Sequence, residues 1–530
     1  MKATQASIRL LWTRTFLLIL AVAHGTAAWA QYSASIDISE LDGGIGFSLN
    51  GVNAVDWLGY KVGAAGDINN DGIDDFMVSA VFNDDGNVNA GTIYIVYGSE
   101  DPMPAVFDLT TLDGSNGFRL LGDDESDIAG STINSAGDIN HDGRNDIVIA
   151  AANHATPGLV FNGATYVLFG ADSFPSSLDL AALDGTDGFV VYGRFAGDQA
   201  SSADGAGDFN GDGIDDLLLG HQAHDPGVTN AGAVYVIYGK DTAFASEFDL
   251  DNINGANGVV FYGELTGDIA GTQVRGAGDF NGDDIDDILI SASRRDTNGG
   301  DSGTVYLAFG SAAGWSAVNQ LADLDGTNGI IINGETSSNF LGSAIDGSGD
   351  FNHDGFTDIL VSAQFVVDGY QATYLILGRS GPLVAEQDVS ALADLSIITG
   401  TTDFLGSPYE YSLSFAGDIN GDGLSDVVIG DYQNSTNATY AGAAYVVFGS
   451  TSIVNPVIAA DDLNGEQGFA VFGEFEQDSV GTSVSSAGDV NHDGVDDFMF
   501  GGYFVDSNGT NSGSAYVVFG NDALFVDSFE

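Results

Sequence analysis

A nine-residue acidic pattern, Asp-x-Asn-x-Asp-Gly-x-x-Asp, recurs along this chain. Its seven copies, the fourth with one substitution, begin at Asp67, Asp138, Asp208, Asp279, Asp350, Asp418 and Asp489. Calcium prefers six to eight hard oxygen ligands at ~2.3–2.6 Å, and alternate residues of a tight loop can point that many oxygens inward. Side chains at positions 1, 3, 5 and 9, the carbonyl at position 7 and water would complete such a shell. The pattern therefore predicts seven calcium loops.

The predicted ligands occupy the same five positions in every loop. They are Asp67, Asn69, Asp71, Ile73 and Asp75; Asp138, Asn140, Asp142, Arg144 and Asp146; Asp208, Asn210, Asp212, Ile214 and Asp216; Asp279, Asn281, Asp283, Ile285 and Asp287; Asp350, Asn352, Asp354, Phe356 and Asp358; Asp418, Asn420, Asp422, Leu424 and Asp426; and Asp489, Asn491, Asp493, Val495 and Asp497. Glycine at position 6 permits the sharp turn. The fourth loop has Asp284 there, which predicts a strained or differently bound turn.

The clustered carboxylates of these loops favour a bound cation. Two carboxylates 4 Å apart repel by about 4 kcal/mol at an effective dielectric constant of 20. Three in one loop would therefore strain the folded chain. We expect up to seven structural Ca²⁺ ions, bound with dissociation constants of about 10⁻⁴–10⁻³ M, as in other extracellular modules.

Two other families with a similar loop do not fit. An EF-hand needs an acidic residue at position 12 and flanking helices. Position 12 is apolar in every copy: Val78, Ile149, Leu219, Ile290, Val361, Ile429 and Phe500. Dockerin-like modules also need helices and closer spacing. A single such loop is often only a solvated turn, but seven copies in register make that interpretation improbable.

The remaining candidates for chemistry are few, and no catalytic group is predicted. Three histidines stand at position 4 of loops, where we expect them to face solvent: His141, His353 and His492. His221 and His224 follow a predicted strand near a blade edge, where they could line a groove, but they form no zinc motif. His154 is isolated in the sequence. No nucleophile elbow, phosphate loop or dinucleotide fingerprint is present.

Two further patterns share the period of the loops, which begin 68 to 71 residues apart. An apolar run ending in an aromatic residue and glycine follows each loop. Its copies are Tyr97-Gly98, Phe169-Gly170, Tyr238-Gly239, Phe309-Gly310, Phe448-Gly449 and Phe519-Gly520, with Leu377-Gly378 in the fifth repeat. Leu-Asp-Gly-x-x-Gly-Phe or a variant starts at Leu41, Leu112, Leu183, Ile253, Leu324 and Leu463, and is lost around residues 391–400.

Each repeat has the composition of β-structure. In the first, residues 59–65, 76–80, 92–97 and 112–121 predict four short strands. No window of 12 or more residues after residue 30 shows helical periodicity. Four strands in each of seven repeats predict an all-β fold, a seven-bladed β-propeller. A β-solenoid is the alternative, but its repeats are usually much shorter.

The order of the patterns predicts how the ring closes. A Leu-Asp-Gly copy stands first, at 41–47, and none follows Phe519-Gly520. If this pattern forms the outermost strand of each blade, the N-terminal copy completes the seventh blade. Such a closure ties the chain ends together and removes an exposed sheet edge.

Composition excludes several classes of function. The 530 residues include 76 acidic and 12 basic side chains, a formal net charge of −64, and no cysteine. This charge argues against nucleic-acid binding and against electrostatic docking on anionic lipid. Without cysteine there is no disulfide, thiol catalysis or cysteine-ligated metal. With 44% hydrophobic residues the chain can build a core, so disorder is not expected.

The N-terminus has the three parts of a secretory signal peptide. Three basic residues precede an apolar run at 16–23, and Ala28-Trp29-Ala30 forms a small-x-small cleavage site. Neither this run nor any other is long enough to span a membrane. We predict an exported protein, secreted or on the cell surface, with a formal net charge of −67 after cleavage. The predicted parts are a signal peptide at 1–30, a propeller at 31–520 and a short tail at 521–530.

The repeats resemble the FG-GAP repeats of integrin α-chain propellers, and more closely the integrin-α-like FG-GAP proteins that bacteria export. The resemblance covers residues 38–520, and it implies calcium ligands at the positions given above. The Phe-Gly of the family is replaced, for example by Leu58-Gly59, and its Gly-Ala-Pro by Ser79-Ala80-Val81, without proline. We see none of the further domains or the membrane span of integrin α-chains, so the resemblance does not imply a β-subunit partner.

The resemblance implies an adhesion or ligand-binding module rather than an enzyme. We expect calcium to be structural and loops of one propeller face to bind a protein or glycan ligand on a cell surface or matrix. The alternative is a calcium-assisted polysaccharide-degrading enzyme with its site on the propeller axis, and a purely structural envelope role is a third hypothesis. Asn434, Asn437 and Asn508 head glycosylation triplets, which carry sugar only in a host that glycosylates them.

Overall fold

The computed structural model describes residues 33–225, 227–364, 370–399, 412–454 and 456–521. The predicted signal peptide and nearly all of the predicted tail lie outside the described residues. The described chain forms seven sheets, which confirms the predicted all-β, seven-bladed propeller. No helix in this part of the chain is long and apolar enough to cross a membrane. Its helical segments are single 3-10 turns at Ile38–Glu40, Leu109–Thr111, Leu180–Ala182, Leu250–Asn252, Leu321–Asp323, Val389–Ala391 and Ala460–Asp462.

Each blade has four antiparallel strands, here numbered outward from the axis of the ring. The innermost strands are Leu58–Gly66, Ala129–Gly137, Ala200–Gly207, Val274–Gly278, Ile345–Gly349, Ser412–Gly417 and Ser483–Gly488. The second strands are Asp75–Ala80, Asp146–Ala151, Asp216–His221, Asp287–Ala292, Asp358–Ala363, Asp426–Asp431 and Asp497–Gly502. The third strands are Thr92–Val96, Ala164–Leu168, Ala233–Ile237, Thr304–Ala308, Gln371–Ile376, Ala443–Val447 and Ser514–Val518. The outermost strands are Gly117–Leu121, Gly188–Tyr192, Gly258–Tyr262, Gly329–Asn333, Leu395–Thr399, Gly468–Phe472 and, for the seventh blade, Gly46–Asn50.

The core lies between neighbouring blades. The second strands are buried along their whole length, because each sheet is covered on both faces by the adjacent sheets. This explains why their sequences are continuous apolar runs rather than alternating ones. A tyrosine at one repeated position of the third strand is buried in all seven blades, as Tyr94, Tyr166, Tyr235, Tyr306, Tyr374, Tyr445 and Tyr516.

Short parallel strands join each blade to the next. The segment before an outermost strand pairs with the outermost strand of the preceding blade, as Ser177–Asp179 does with Gly117–Leu121. The equivalent segments are Val318–Gln320, Glu386–Asp388, Val457–Ala459, Ser35–Asp37 and Val106–Phe107. In the second blade the pairing is a single bridge between Val190 and Glu247. The blades are therefore linked at their outer edges as well as through the core.

The ring closes as the sequence predicts. Gly46–Asn50 pairs antiparallel with Ser514–Val518, so that the N-terminal segment supplies the outermost strand of the seventh blade. Phe47 and Leu49 of this strand are fully buried. Ser35–Asp37 then reaches the sixth blade, so the closure spans two blades.

The fifth blade keeps its outermost strand although the Leu-Asp-Gly pattern is lost there. Asp394 directly precedes this strand and accepts a hydrogen bond from the Leu377 backbone N–H at 3.0 Å. The Arg379 guanidinium pairs with the same carboxylate at 2.5 Å. A salt bridge thus stands where the other blades use a tight turn.

Candidate calcium loops and axial channel

The seven acidic loops join the innermost to the second strands on one face of the ring. In the first loop both oxygens of Asp67 accept backbone N–H groups, from Asp71 and from Gly72, each at 2.9 Å. All seven loops repeat this pair of bonds at 2.7–3.1 Å. The position 5 carboxylate accepts the position 7 N–H, as Asp71 does from Ile73 at 3.0 Å. The backbone of each loop is thereby fixed by its own predicted ligands.

The position 9 aspartate is the buried floor of each loop. Asp75 and its six equivalents are fully buried, and each accepts the N–H of the glycine in the aromatic-Gly pattern at 2.7–3.0 Å. The acidic loop and the aromatic-Gly pattern of each repeat are therefore in direct contact. The glycine is required by close approach, because a Cβ on Gly239 would lie 2.1 Å from the carbonyl oxygen of Asp215.

Burial, with added repulsion from the carboxylates at positions 5 and 1, raises the pKa of the floor aspartates. The pKa rises to about 8 for Asp75, Asp146, Asp216 and Asp497, and to about 7 for Asp358. The pKa of Asp287 and Asp426 is also raised well above the ordinary value. A bound cation would favour the ionised forms of these groups.

The donor set of the loops fits a calcium ion. In the first loop the Oδ1 atom of Asn69 and the Oδ2 atom of Asp75 are buried without a hydrogen-bond partner. Such orphaned acceptors are costly unless a cation or water satisfies them. In none of the loops do oxygens from all three carboxylates lie within 4.8 Å of one another.

The fourth loop keeps the common turn despite its aspartate. Asp284 has a φ of +65°, in the left-handed region that Gly72 occupies at +90° in the first loop. Its N–H donates to Asp279 Oδ2 at 2.8 Å, as the glycine does elsewhere. The backbone arrangement is thus the same, and any strain is confined to the Cβ of Asp284.

A bond between neighbouring loops was not predicted from the sequence. The position 8 side chain accepts the position 1 N–H of the preceding loop, as Asp215 does from Asp138 at 2.7 Å. Asp286, Ser425, Asp496 and Asp74 act in the same way, the last across the ring closure. The sequence feature that could have indicated this bond is the Asp-Asp pair at positions 8 and 9, which occurs in four of the loops.

Three of the histidines lie where the sequence predicts, and the other three do not. His141, His353 and His492 are exposed, as predicted for position 4. The prediction that His221 and His224 could line a surface groove is wrong, because both are buried beside Asp198. His154 is not isolated, since its Nδ1 atom lies 2.7 Å from Asp127 Oδ2.

The glycosylation triplets also differ in accessibility. Asn434 is buried, and its amide donates to the Tyr445 hydroxyl at 2.8 Å, so it is not open to modification in the folded chain. Asn437 and Asn508 are exposed, although their amides also donate hydrogen bonds, to Asp37 and to the Gly51 carbonyl.

A polar cavity of about 750 Å³ opens on the axis, at the ends of the innermost strands away from the loops. Asp204, Arg275 and Asp346 stand at equivalent positions of three successive blades and line it. Asp204 accepts the Gly276 N–H at 3.1 Å, and Asp346 accepts the Phe415 N–H at 2.7 Å, so each also joins two blades. Burial raises the pKa of Asp204 to about 7, although Arg275 opposes the shift.

Comparison with known families identifies the repeats. The family model "FG-GAP repeat" matches residues 130–168, 201–237, 270–307, 342–375 and 411–447, which fall in the second to the sixth blade. Each match includes one acidic loop and ends near the third strand. The five matches recur with the period of the acidic loops, one to a blade.

Relatives of two kinds are similar in sequence to part of this chain. The chain is 28% identical over 218 residues to bovine (Bos taurus) phosphatidylinositol-glycan-specific phospholipase D, covering 40% of this chain and 24% of that protein. It is 28% identical over 260 residues to chicken (Gallus gallus) integrin alpha-V, covering 48% and 22%. For mouse (Mus musculus) integrin alpha-IIb the values are 33% over 175 residues, 32% and 15%. The matches span about a quarter or less of the relatives' own length.

Proposed function

Taking this chain to be an FG-GAP repeat β-propeller similar to those of integrin α-chains, we propose that it is an exported, calcium-stabilised module for adhesion or ligand binding. Its ligand is a protein or glycan of a cell surface or matrix. The observation that carries the proposal is the polar cavity on the axis, framed by seven rigid blades. Rigid scaffolds that present loops and a concave polar site are suited to recognition.

Calcium is assigned a structural role in this proposal. The support is the repeated hydrogen bonding of the position 1 and position 5 carboxylates, together with the orphaned acceptors of Asn69 and Asp75. Calcium would neutralise carboxylates that anchor both the loop and the following aromatic-Gly turn. It thereby stiffens the face opposite the cavity without taking part in binding.

The binding surface is assigned to the cavity face. Hydroxyl and amide side chains line the cavity around Arg275, among them Asn134, Thr132 and Gln273. Beside it, where the first and seventh blades meet, the Trp57 ring stacks on Tyr503 with centroids 4.9 Å apart. Polar groups next to an aromatic face are typical of sites for sugars and peptides.

The first test is retention of the purified protein on cells and on extracellular polysaccharide. We expect retention in millimolar calcium, loss with a chelator, and recovery when calcium is restored. An Arg275→Gln variant should bind more weakly while still melting in one cooperative transition in calcium, whereas Glu100→Gln, on the loop face, should bind normally. Absence of retention in calcium on every surface tested would contradict the proposal.

The hypothesis of a polysaccharide-degrading enzyme is an outcome of the same test. The named relatives are divided between a phospholipase and integrin chains, and none of those compared above is a polysaccharide-degrading enzyme. Shortened polysaccharide in the supernatant, abolished by substitution of Asp204 or Asp346 in the cavity, would favour that hypothesis over adhesion.

A further inference from the structure

A cluster of metal-binding side chains lies outside the calcium loops, on the second blade. Asp123 and Asp124 stand in the connection that leads into its innermost strand, and His154 follows its second strand. One potential ligand atom from each of the three lies within 4.8 Å of the others. In the described part of the chain, no other three acidic or histidine side chains meet this closely. The three line a groove of about 560 Å³.

The imidazole of His154 is held in place by contacts to its ring and to one of its nitrogens. The residue is only 4% exposed, and its ring stacks on Tyr192 with centroids 5.3 Å apart. Its Nδ1 atom lies 2.7 Å from Asp127 Oδ2, which leaves Nε2 as the available nitrogen. Nε2 has no hydrogen bond to any described residue. A carboxylate on one ring nitrogen and a metal on the other is the usual arrangement of metal-binding histidines.

Comparison with the first blade shows that an aspartate at the position of Asp127 can be hydrogen-bonded by a residue other than histidine. In the first blade Asn83 stands at the position of His154 and donates to the equivalent carboxylate, Asp56, at 2.9 Å. Asparagine therefore suffices for the structural contact. The additional carboxylates beside His154 are what distinguish the second blade.

The third blade provides the complementary comparison. There His224 contacts the equivalent carboxylate, Asp198, at 3.2 Å. The positions of Asp123 and Asp124 are taken by Arg194 and Phe195. The third blade thus has the histidine without the two aspartates, and the first blade has neither.

We propose that Asp123, Asp124 and His154 bind one divalent transition-metal ion of the Zn²⁺ type, through two carboxylates and the Nε2 atom. An imidazole nitrogen suits such ions, whereas calcium takes oxygen ligands. Glu247, Asp249 and Asp251 also line the groove, and their negative charge outweighs that of Arg194, which lines it too and pairs with Asp251, so the groove attracts a cation. Three protein ligands in an open groove leave further coordination positions for water or a bound ligand.

The test is a titration of the purified protein with Co²⁺, in saturating calcium so that the acidic loops are already filled. Visible d–d bands report binding, and displacement by Zn²⁺ shows that both ions share the site. We expect one Co²⁺ per chain. Loss of one ligand should weaken binding by more than about 100-fold, because even substitutions behind the ligands typically cost 10–100-fold.

Matched variants distinguish the loss of a metal ligand from the loss of a structural contact. His154→Asn copies the asparagine of the first blade, so the melting temperature in calcium should be unchanged while Co²⁺ binding is lost. The double variant Asp123→Asn, Asp124→Asn should also lose binding. His224→Asn should bind Co²⁺ normally. The proposal is overturned if the unaltered protein binds no Co²⁺ under these conditions, or if His154→Asn and the double variant bind it as tightly as the unaltered protein.

Discussion

At the scale of single residues, Asp284 tests how much the loops depend on glycine at position 6. Its φ of +65° places a Cβ in the left-handed region, which glycine adopts without steric cost and aspartate adopts only with some strain. We expect Asp284→Gly to stabilise the protein by about 0.5–1 kcal/mol, as removal of such strain typically does. Urea unfolding in calcium measures this. Asp284→Ala removes the charge but keeps the Cβ, so an equal gain in both variants would show that charge, not backbone strain, is relieved.

The floor aspartates predict an unusual dependence of stability on pH. In the metal-free protein the pKa of Asp75, Asp146, Asp216 and Asp497 is about 8, against an ordinary value of 3.8. Between these values the folded state holds protons that the unfolded state has released, so stability falls as pH rises. With chelator present, the melting temperature should therefore be lower at pH 8 than at pH 6.

Calcium should reverse that dependence, because it displaces the protons and binds more tightly as pH rises. The Asp216→Asn variant supplies the control: it should bind one calcium fewer and depend less on pH when metal-free. A metal-free melting temperature that rises between pH 6 and pH 8 would contradict the assignment of raised pKa values to these groups.

At the scale of the element, the aromatic-Gly turn should matter as much for stability and calcium binding as the acidic loop that it contacts. In Gly239→Ala the new methyl group would lie 2.1 Å from the Asp215 carbonyl oxygen and would displace the N–H that holds Asp216. We expect a loss of about 1–3 kcal/mol, typical of overpacking, and one calcium site fewer. Gly300→Ala, where nothing lies within 4 Å, should change stability by less than about 0.5 kcal/mol. Equal effects of the two substitutions would contradict this role.

The repeating elements were predictable because each has a local signature. Alternate oxygens and a turn glycine mark the loops, and apolar runs bounded by glycines mark the strands. The surroundings of His154, His221 and His224 were not predictable, because Asp127 and Asp198 lie 23 to 27 residues away and reach these histidines only when the blade folds. The bond from one loop to the next was equally hidden, since Asp138 and Asp215 belong to different repeats.

At the scale of the whole molecule, the N-terminal strand decides whether the ring can close. Deletion of residues 33–50 would remove the buried Phe47 and Leu49 and expose the edge of Ser514–Val518. We expect the shortened chain to aggregate, as unprotected strand edges do. In a permuted chain, residues 33–50 would follow residue 521. The outermost strand of the seventh blade would then come after its third strand in sequence, as it does in the other blades. The permuted chain should remain monomeric and bind as much calcium as the unaltered protein, as light scattering and calcium titration would show. A deleted chain that stays monomeric and stable would contradict the closure argument.

The loops should act together because they form a chain of contacts around the ring. The position 8 side chains of five loops bond the preceding loop, including Asp74 to Asp489 at 3.0 Å across the closure. The net charge of −64 also makes each uncompensated loop unfavourable for the rest of the molecule. Removal of calcium should therefore lower the melting temperature of the entire propeller in one transition, rather than melting single blades. Calorimetry with calcium and with chelator tests this, since loss of ions from independent loops would instead broaden the transition or split it. A melting temperature unchanged by chelator would show that the acidic loops do not depend on calcium.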